Sequence, residues 1–287
     1  MGYELPISAR KYTDKKWFKL LLASIDKPVV DGIRFPGFPP EELQRTFVGS
    51  AYRKTLTEAF SFYTFLKNTA AKQGRPLAPA NRFLDFGCGW GRYLRFFWKD
   101  IDVQNLYGCD VSEMIVDVCR SLNVPGQIER IDPLGTLPYS SDFFDAGMAY
   151  SVFTHLPERV HLHWMAELAR TMKNGGLFFL TIEPRRFMAF IVNSASAKNE
   201  WHRMLAAHKD HLPRYYQQFD HGQFVFMPTN KGAEEYYGDA VIPLSWMRTK
   251  WAPYFEVIDF VDEPKQFWQA VVVVRRTRHP FPRVDVR

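Results

Sequence analysis

Three glycines on alternate positions, Gly87, Gly89 and Gly91, follow the short apolar run Phe83-Leu84-Asp85-Phe86, in which an acid, Asp85, is embedded. Glycine admits positive φ and has no Cβ, so a ligand can lie directly against the main chain at such a loop. The next residues, Arg92-Tyr93-Leu94-Arg95-Phe96-Phe97, carry helical apolar spacing. The stretch therefore reads as strand, glycine loop and helix, the order that places a ligand at a helix N-terminus. A further acid, Asp110, ends the run Leu106-Tyr107-Gly108-Cys109 and lies 19 residues beyond Gly91. In a strand–helix–strand unit the end of the second parallel strand sits beside the glycine loop, where an aspartate can accept both hydroxyls of a ribose. The chemistry implied is capture of a nucleoside-bearing ligand.

The elements that must position these residues alternate in type. Strands are expected at Phe83–Phe86, Asn105–Ser112, Gly126–Arg130, Phe143–Tyr150 and Leu177–Glu183. Helices follow the second at Ser112–Leu122 and the fourth at Pro157–Met172, the latter closing on the glycine cap Asn174-Gly175-Gly176. Such alternation predicts a parallel sheet covered by helices on both faces. Upstream, Pro28, Pro36, Pro39 and Pro40 break residues 1–40. Trp17–Leu22 reads as a short amphipathic helix that packs on the domain, the other reading being part of a lid. Pro39-Pro40-Glu41-Glu42 opens a helix with acids in its first turn. Another helix runs from about Ser50 to Lys72, ends at Gln73-Gly74-Arg75-Pro76, and passes through the linker Pro76–Asn81.

Residues 184–243 break the rhythm, with a helix over Phe187–Ala207 and the aromatic run Gln223–Met227. Regularity returns in a helix at Leu244–Met247 capped by Ser245. The strands Phe255–Val261 and Phe267–Arg276, joined by the short link Asp262–Gln266, must pair antiparallel.

Composition excludes more than it identifies. The chain of 287 residues, 46% hydrophobic and 24% charged, has the make-up of a soluble globular protein. Its net charge of +6 sits at the ends: residues 1–20 carry +3 and residues 275–287 carry +4, leaving the middle near −1. Basic ends without a groove-lining patch do not point to nucleic acid as partner. Cys88, Cys109 and Cys119 show neither paired nor metal-type spacing, so free thiols in the cytoplasm and no metal are expected. The longest apolar runs, such as Leu177–Ile182, are too short to span a bilayer.

These residues together resemble the class I S-adenosylmethionine-dependent methyltransferases, especially the small-molecule branch labelled type 11, 12 or 25. The matching pieces are Leu84–Gly91, Gly108–Met114, Leu137-Pro138-Tyr139 with Phe144-Asp145, the run Ser151–Leu156, and Lys173-Asn174-Gly175-Gly176. The resemblance covers residues 81–183 well, and the closing helix and hairpin by pattern. It implies a Rossmann-like, doubly wound, seven-stranded sheet, mostly parallel with an antiparallel C-terminal hairpin and helices on both faces.

The same resemblance divides the chain into an N-terminal helical cap or lid (1–80), an S-adenosylmethionine-binding core (81–183), an insertion for acceptor specificity (184–243) and a closing helix, hairpin and basic tail (244–287). Asp85, Phe86, Gly87, Cys88, Gly89 and Gly91 would then contact the cofactor. Asp110 would bind the ribose hydroxyls, with Val111 and Met114 beside it, and Asp132 would approach the adenine amino group. Asp132 stands one residue further from Leu137-Pro138 than the common pattern has it. Tyr150, Ser151 and His155 would line the cleft near the sulfonium.

The residues support this ligand over a dinucleotide. The dinucleotide pattern is Gly-x-Gly-x-x-Gly and must admit a pyrophosphate. Here Gly-x-Gly-x-Gly follows Asp85, an anion that repels pyrophosphate and suits an ammonium and a sulfonium. The reaction implied is in-line displacement at the methyl carbon, which needs a base only when the acceptor arrives protonated. His155 is the first candidate for that base and His221, in the insertion, the second; the plainer roles are ordering a loop and lying on the surface.

The fourth strand ends in Ala-Tyr-Ser-Val and not in the Asp/Asn-Pro-Pro-Tyr/Phe run that grips exocyclic amines, which argues against base methylation. Tyr215, Tyr216, Phe219, Phe224, Phe226, Tyr236 and Tyr237 are expected either to wall an acceptor pocket or to form the insertion's own core. Arg53 is either a partner for the methionine carboxylate or a solvated side chain. The expected function is methyl transfer to a small molecule such as a sugar or secondary metabolite. The alternatives are a non-catalytic cofactor-binding scaffold and a protein or RNA methyltransferase.

Overall fold

The computed structural model describes residues 5–193, 200–229 and 235–277; most of the basic C-terminal stretch, from 278 on, lies outside them. In chain order the elements are α1 (Asp14–Ala23), β1 (Val29–Val30), β2 (Ile33–Arg34), α2 (Glu41–Val48), α3 (Tyr52–Lys72), β3 (Phe83–Phe86), α4 (Leu94–Phe97), β4 (Leu106–Asp110), α5 (Glu113–Ser121), β5 (Gln127–Arg130) and β6 (Phe144–Ala149). They continue with α6 (Glu158–Thr171), β7 (Met172–Ile182), α7 (Phe187–Asn193), α8 (Glu200–Ala206), α9 (Leu212–Asp220), β8 (Val225–Met227), β9 (Asp239–Val241), α10 (Leu244–Lys250), β10 (Phe255–Val261) and β11 (Ala270–Arg276).

Seven strands form one mixed sheet in the order β10-β11-β7-β6-β3-β4-β5. β3 pairs parallel with β4 and β6, and β4 parallel with β5, while β11 pairs antiparallel with β10 and β7. This is the expected doubly wound sheet with its antiparallel C-terminal hairpin. Strand order reverses at β3 and β6, and open α/β sheets take ligands outside the carboxyl ends of strands at such a point. Among the described residues no helix is long and apolar enough to cross a membrane, and no cluster of three or more His, Cys, Asp or Glu side chains is placed to hold a metal.

The chain divides into two compact units, Met1–Asp132 with Phe144–Met148, and Pro133–Phe143 with Ala149–Arg287. In the first, all four residues of β3 are buried, as a strand paired on both edges and covered on both faces must be. Ser112 caps α5 by accepting the Ile115 N–H, and Ile115, Val116 and Cys119 form its buried face over β4 and β5. α4 begins two residues later than the apolar spacing suggests, because residues 90–93 still turn after Gly91, which has φ +73°.

The N-terminal helix packs, as its amphipathic face requires. Trp17 is fully buried, its indole N–H donates to the Arg95 carbonyl at 3.1 Å, and its ring meets Phe35 and Trp98 at 5.2 and 5.9 Å. Arg95 points the other way. Its buried guanidinium donates to the Pro36 and Gly37 carbonyls at 3.0 and 2.7 Å and lies over the rings of Phe38 and Trp90. Burial pushes its pKa down to about 9. The chain around Pro36 is thereby tied to the segment that follows the glycine loop.

In the second unit three expectations are corrected. Gly175 and Gly176 do not cap a helix: α6 ends at Thr171 and passes directly into β7, where Gly175 takes φ +73° inside the long strand. Ser245 lies inside α10 and makes no cap bond, the N-cap position being Pro243. The stretch Phe187–Ala207 folds as two short helices, α7 and α8, with residues 194–199 between them outside the described set.

The insertion builds a core of its own from Phe187, Met188, Ile191, Leu205, Leu212, Tyr215, Val225, Met227 and Val241, with Tyr216 and Phe219 packed against it. Main-chain bonds fasten β9 to the loop after β6 and to the end of β7. Gly238 N–H donates to His155 O at 2.8 Å, Ala240 N–H to Thr154 O at 2.7 Å and Ile242 N–H to Glu183 O at 3.2 Å.

Candidate functional site

The glycine loop hangs from the end of β4. The N–H groups of Gly87 and Cys88 both donate to the Cys109 carbonyl, at 2.9 and 3.0 Å. Gly89 has φ +51°, and a Cβ there would meet only Phe47, at 3.7 Å, so this face of the loop is open to a ligand. Gly91 serves packing instead: at φ +73°, a Cβ would fall 2.2 Å from Val124 Cγ1.

Asp110 joins the loop to α5. Its Oδ2 accepts the Gly89 N–H and its Oδ1 the Ser112 N–H, each at 3.0 Å. Each carboxylate oxygen has lone pairs to spare after one such bond, which suits a pair of hydroxyl donors. Burial raises its pKa, and the backbone N–H groups oppose that rise. Next to it Val111 and Met114 are 47% and 52% exposed, apolar surface suited to a flat ring.

Asp85 is the most telling group in this unit. It is 1% exposed and neither carboxylate oxygen has a hydrogen-bond partner. Burial pushes its pKa up to about 7; the Asp110 charge adds to the rise and Arg92 opposes it. Arg92 is itself held by Thr55 at 3.0 Å and lies 3.9 Å from Glu58. A buried acid without partners is costly unless a ligand supplies a cation or donors. A ligand that brings an ammonium and a sulfonium fits that need, and the open face at Gly89 and the free acceptor capacity of Asp110 fit a ribose.

The raised pKa has a measurable consequence. The folded protein holds the Asp85 proton up to about pH 7 and the unfolded chain only to its ordinary 3.8, so stability without ligand falls as pH rises between those values. At 1.36 kcal/mol per pH unit the full effect is roughly 4 kcal/mol. Thermal melts from pH 4 to 8 should show that decline in the wild type and a shallower one in Asp85→Asn; parallel curves would contradict it.

In the second unit the loop after β6 brings two groups into a polar network. Ser151 sits at φ +58°, a sparsely populated region for a non-glycine residue. Its N–H donates to Thr181 Oγ1 at 2.7 Å and its Oγ accepts from Gln269 Nε2 at 2.9 Å. His155 Nδ1 lies 2.8 Å from the Gly238 carbonyl. A carbonyl only accepts, so Nδ1 carries the proton and, in the neutral ring, Nε2 keeps a bare lone pair. Asp239 Oδ1 is 3.6 Å from the same Nδ1, and Tyr237 stacks on the imidazole at 4.8 Å. Asp239 is buried and accepts from Thr229 Oγ1 and, at 3.2 Å, from the Trp201 indole.

The remaining expected residues are placed as follows. Phe86 and Cys88 are buried with the loop, and Tyr150 is half-buried. Asp132 is exposed and paired with Arg130 at 3.0 Å. His221 is exposed at the end of α9, its Nδ1 bonded to Gln217 O at 2.7 Å in its own helix. Arg53 is exposed on α3. Tyr215, Tyr216 and Phe219 belong to the insertion's core. Phe224 packs on His161 and Trp246 at 5.6 and 4.9 Å. Sequence reasoning passed over Glu183, Asp239 and Gln269; the one available signal was an acid ending the apolar run Leu177–Ile182.

Known proteins resemble this chain in sequence and in fold. Residues 84–180 match the model of a methyltransferase domain. The chain is 29% identical over 143 residues to the tRNA (carboxymethyluridine(34)-5-O)-methyltransferase of Arabidopsis thaliana, a match covering 49% of this chain and 33% of that protein. It thus spans about a third of that relative's length. Among solved structures, the fold is similar to magnesium protoporphyrin IX methyltransferase from Synechocystis with bound SAH (TM-score 0.50, 12% identity, 82% of this chain and 92% of that one). It is also similar to the PH0226 protein from Pyrococcus horikoshii (TM-score 0.52, 15% identity, 84% and 100%). Residues 84–180, which carry the glycine loop, thus match a methyltransferase domain, and S-adenosylmethionine is the cofactor this match indicates.

Proposed function

We propose that this chain transfers the methyl group of S-adenosylmethionine to a small-molecule acceptor that arrives with an O–H or N–H group. The observation that carries the reading is Asp85, a buried carboxylate without partners at the start of a loop that is open at Gly89 and tied to Asp110. When bound, S-adenosylmethionine supplies an electrophilic methyl carbon on a sulfur that leaves readily. The chain's own work is to hold that ligand through Asp85, the loop and Asp110, to orient the acceptor, and to take its proton. His155 is suited to the last task. Its Nδ1 proton is committed to Gly238 O, its Nε2 is free to accept, and the buried Asp239 lies 3.6 Å from Nδ1.

The buried Asp239 beside the His155 loop supports a neutral or cationic acceptor over a polyanion. The second reading is a tRNA acceptor, and the observation favouring it is the relative that acts on tRNA. That relative leaves the charge-based expectation against nucleic acid without support. Incubation with methyl-labelled S-adenosylmethionine and either bulk tRNA or a small-metabolite extract separates the two. Label in the metabolite fraction and none in tRNA is expected. Label confined to tRNA would replace the acceptor class and keep the donor.

A further inference from the structure

Among the described residues, two carboxylates keep a buried oxygen with no hydrogen-bond partner: Asp85 and Glu183. The cofactor accounts for the first. Glu183 directly follows β7 in the second unit, is 4% exposed, and accepts at Oε1 from Gln269 Nε2 at 3.2 Å, while Oε2 has no partner.

The orientation of Gln269 is set by its neighbours. Thr181 Oγ1 accepts the Ser151 N–H at 2.7 Å and spends its own proton on Gln269 Oε1 at 2.6 Å. The two amide protons then go to Ser151 Oγ at 2.9 Å and Glu183 Oε1 at 3.2 Å. Ser151 Oγ is therefore an acceptor within the array and keeps its hydroxyl proton to donate; Thr154 Oγ1, at 3.5 Å, is a poor taker. One hydroxyl donor and one empty carboxylate oxygen stand after the carboxyl ends of β6 and β7, the edge at which open α/β sheets take ligands.

We propose that Glu183, with Ser151, is a recognition subsite for the methyl acceptor, and that it selects acceptors carrying an O–H or N–H group besides the one methylated. Polyols, pyranosides, nucleosides and amino alcohols are in this class. The inference rests on the methyltransferase reading above. Simple carboxylic acids are disfavoured. Asp239 from β9 and Asp262 beyond β10 add negative charge, and the cation Arg186 before α7 is already paired with Asp262 at 2.7 Å. Burial first, and Asp239 second, push the Glu183 pKa up to about 8, with Gln269 and Arg186 opposing. A donor bonds an ionised carboxylate more strongly than a protonated one, so acceptor KM should fall as pH rises through about 8.

The test compares wild type and Glu183→Gln, both saturated with S-adenosylmethionine, by release of S-adenosylhomocysteine. The probes are methyl pyranosides, ribonucleosides and amino alcohols, each paired with its carboxylic-acid analogue. The expected result is that a neutral or cationic probe turns over in preference to its acid. Glu183→Gln should raise its KM at least tenfold, erase the KM change between pH 7 and 9, and leave S-adenosylhomocysteine affinity unchanged, with Glu183→Asp restoring part of the loss. Preference for the acids, an unchanged KM and pH profile in Glu183→Gln, or no turnover of any probe by protein that binds S-adenosylhomocysteine overturns the subsite. Loss of S-adenosylhomocysteine binding by the wild type overturns the methyltransferase reading itself.

Discussion

Replacing Asp110 by alanine should weaken S-adenosylhomocysteine binding by roughly 1–3 kcal/mol, the scale for leaving a ligand's polar groups unpaired. That is about 5- to 150-fold in Kd. Two losses add in this variant. The ribose hydroxyls lose their acceptor, and the glycine loop loses its tether, since Asp110 Oδ2 holds the Gly89 N–H at 3.0 Å. Asp110→Asn separates them, because the amide keeps one acceptor oxygen of the same size. It should lie between wild type and alanine when affinity is measured by calorimetry. Wild-type affinity in Asp110→Ala would remove the ribose role.

A large stability effect is expected at Gly91. An alanine there must adopt φ +73° and place its Cβ 2.2 Å from Val124 Cγ1. The left-handed backbone costs roughly 1–2 kcal/mol for a residue with a Cβ. Overpacking costs a further 1–3 kcal/mol or so, because a β-branched valine has little freedom to turn aside. Gly91→Ala should therefore lose about 2–5 kcal/mol in urea unfolding, a large share of an ordinary domain's stability. Val124→Ala in the same chain should return the steric part and leave the backbone part. Unfolding midpoints of wild type and Gly91→Ala that coincide would show that the loop relaxes at no cost.

What could be read from the sequence was local. Asp85, the alternate glycines and Asp110 announce a strand–loop–helix–strand unit because each acts through its own few neighbours, and β3, β4 and α5 form where the apolar spacing puts them. The errors also have local causes. Gly175-Gly176 has the composition of a helix cap, yet β7 is long enough to absorb both residues, pairing decided by strands far away in sequence. Ser245 has the chemistry of a cap, but Pro243 already occupies the cap position. Asp239 and Gln269 carry no local signal, and Glu183 only that of an acid ending an apolar run. Tertiary pairing brings them together: β9 reaches back to residues 154, 155 and 183, and β11 lies antiparallel beside β7. Of the seven aromatic residues that could wall a pocket or form the insertion's core, Tyr215, Tyr216 and Phe219 took the second role, because the insertion has to bury its own apolar surface before it can offer any to a ligand.

The account depends most on Asp85 and the glycine loop receiving S-adenosylmethionine. Isothermal titration of the full chain with S-adenosylhomocysteine at pH 8, where Asp85 is ionised, tests this directly. The prediction is one saturable site per chain, with affinity that declines as the pH is lowered through about 7 and the Asp85 carboxylate takes its proton. A titration that stays flat with S-adenosylhomocysteine at millimolar concentration would contradict it.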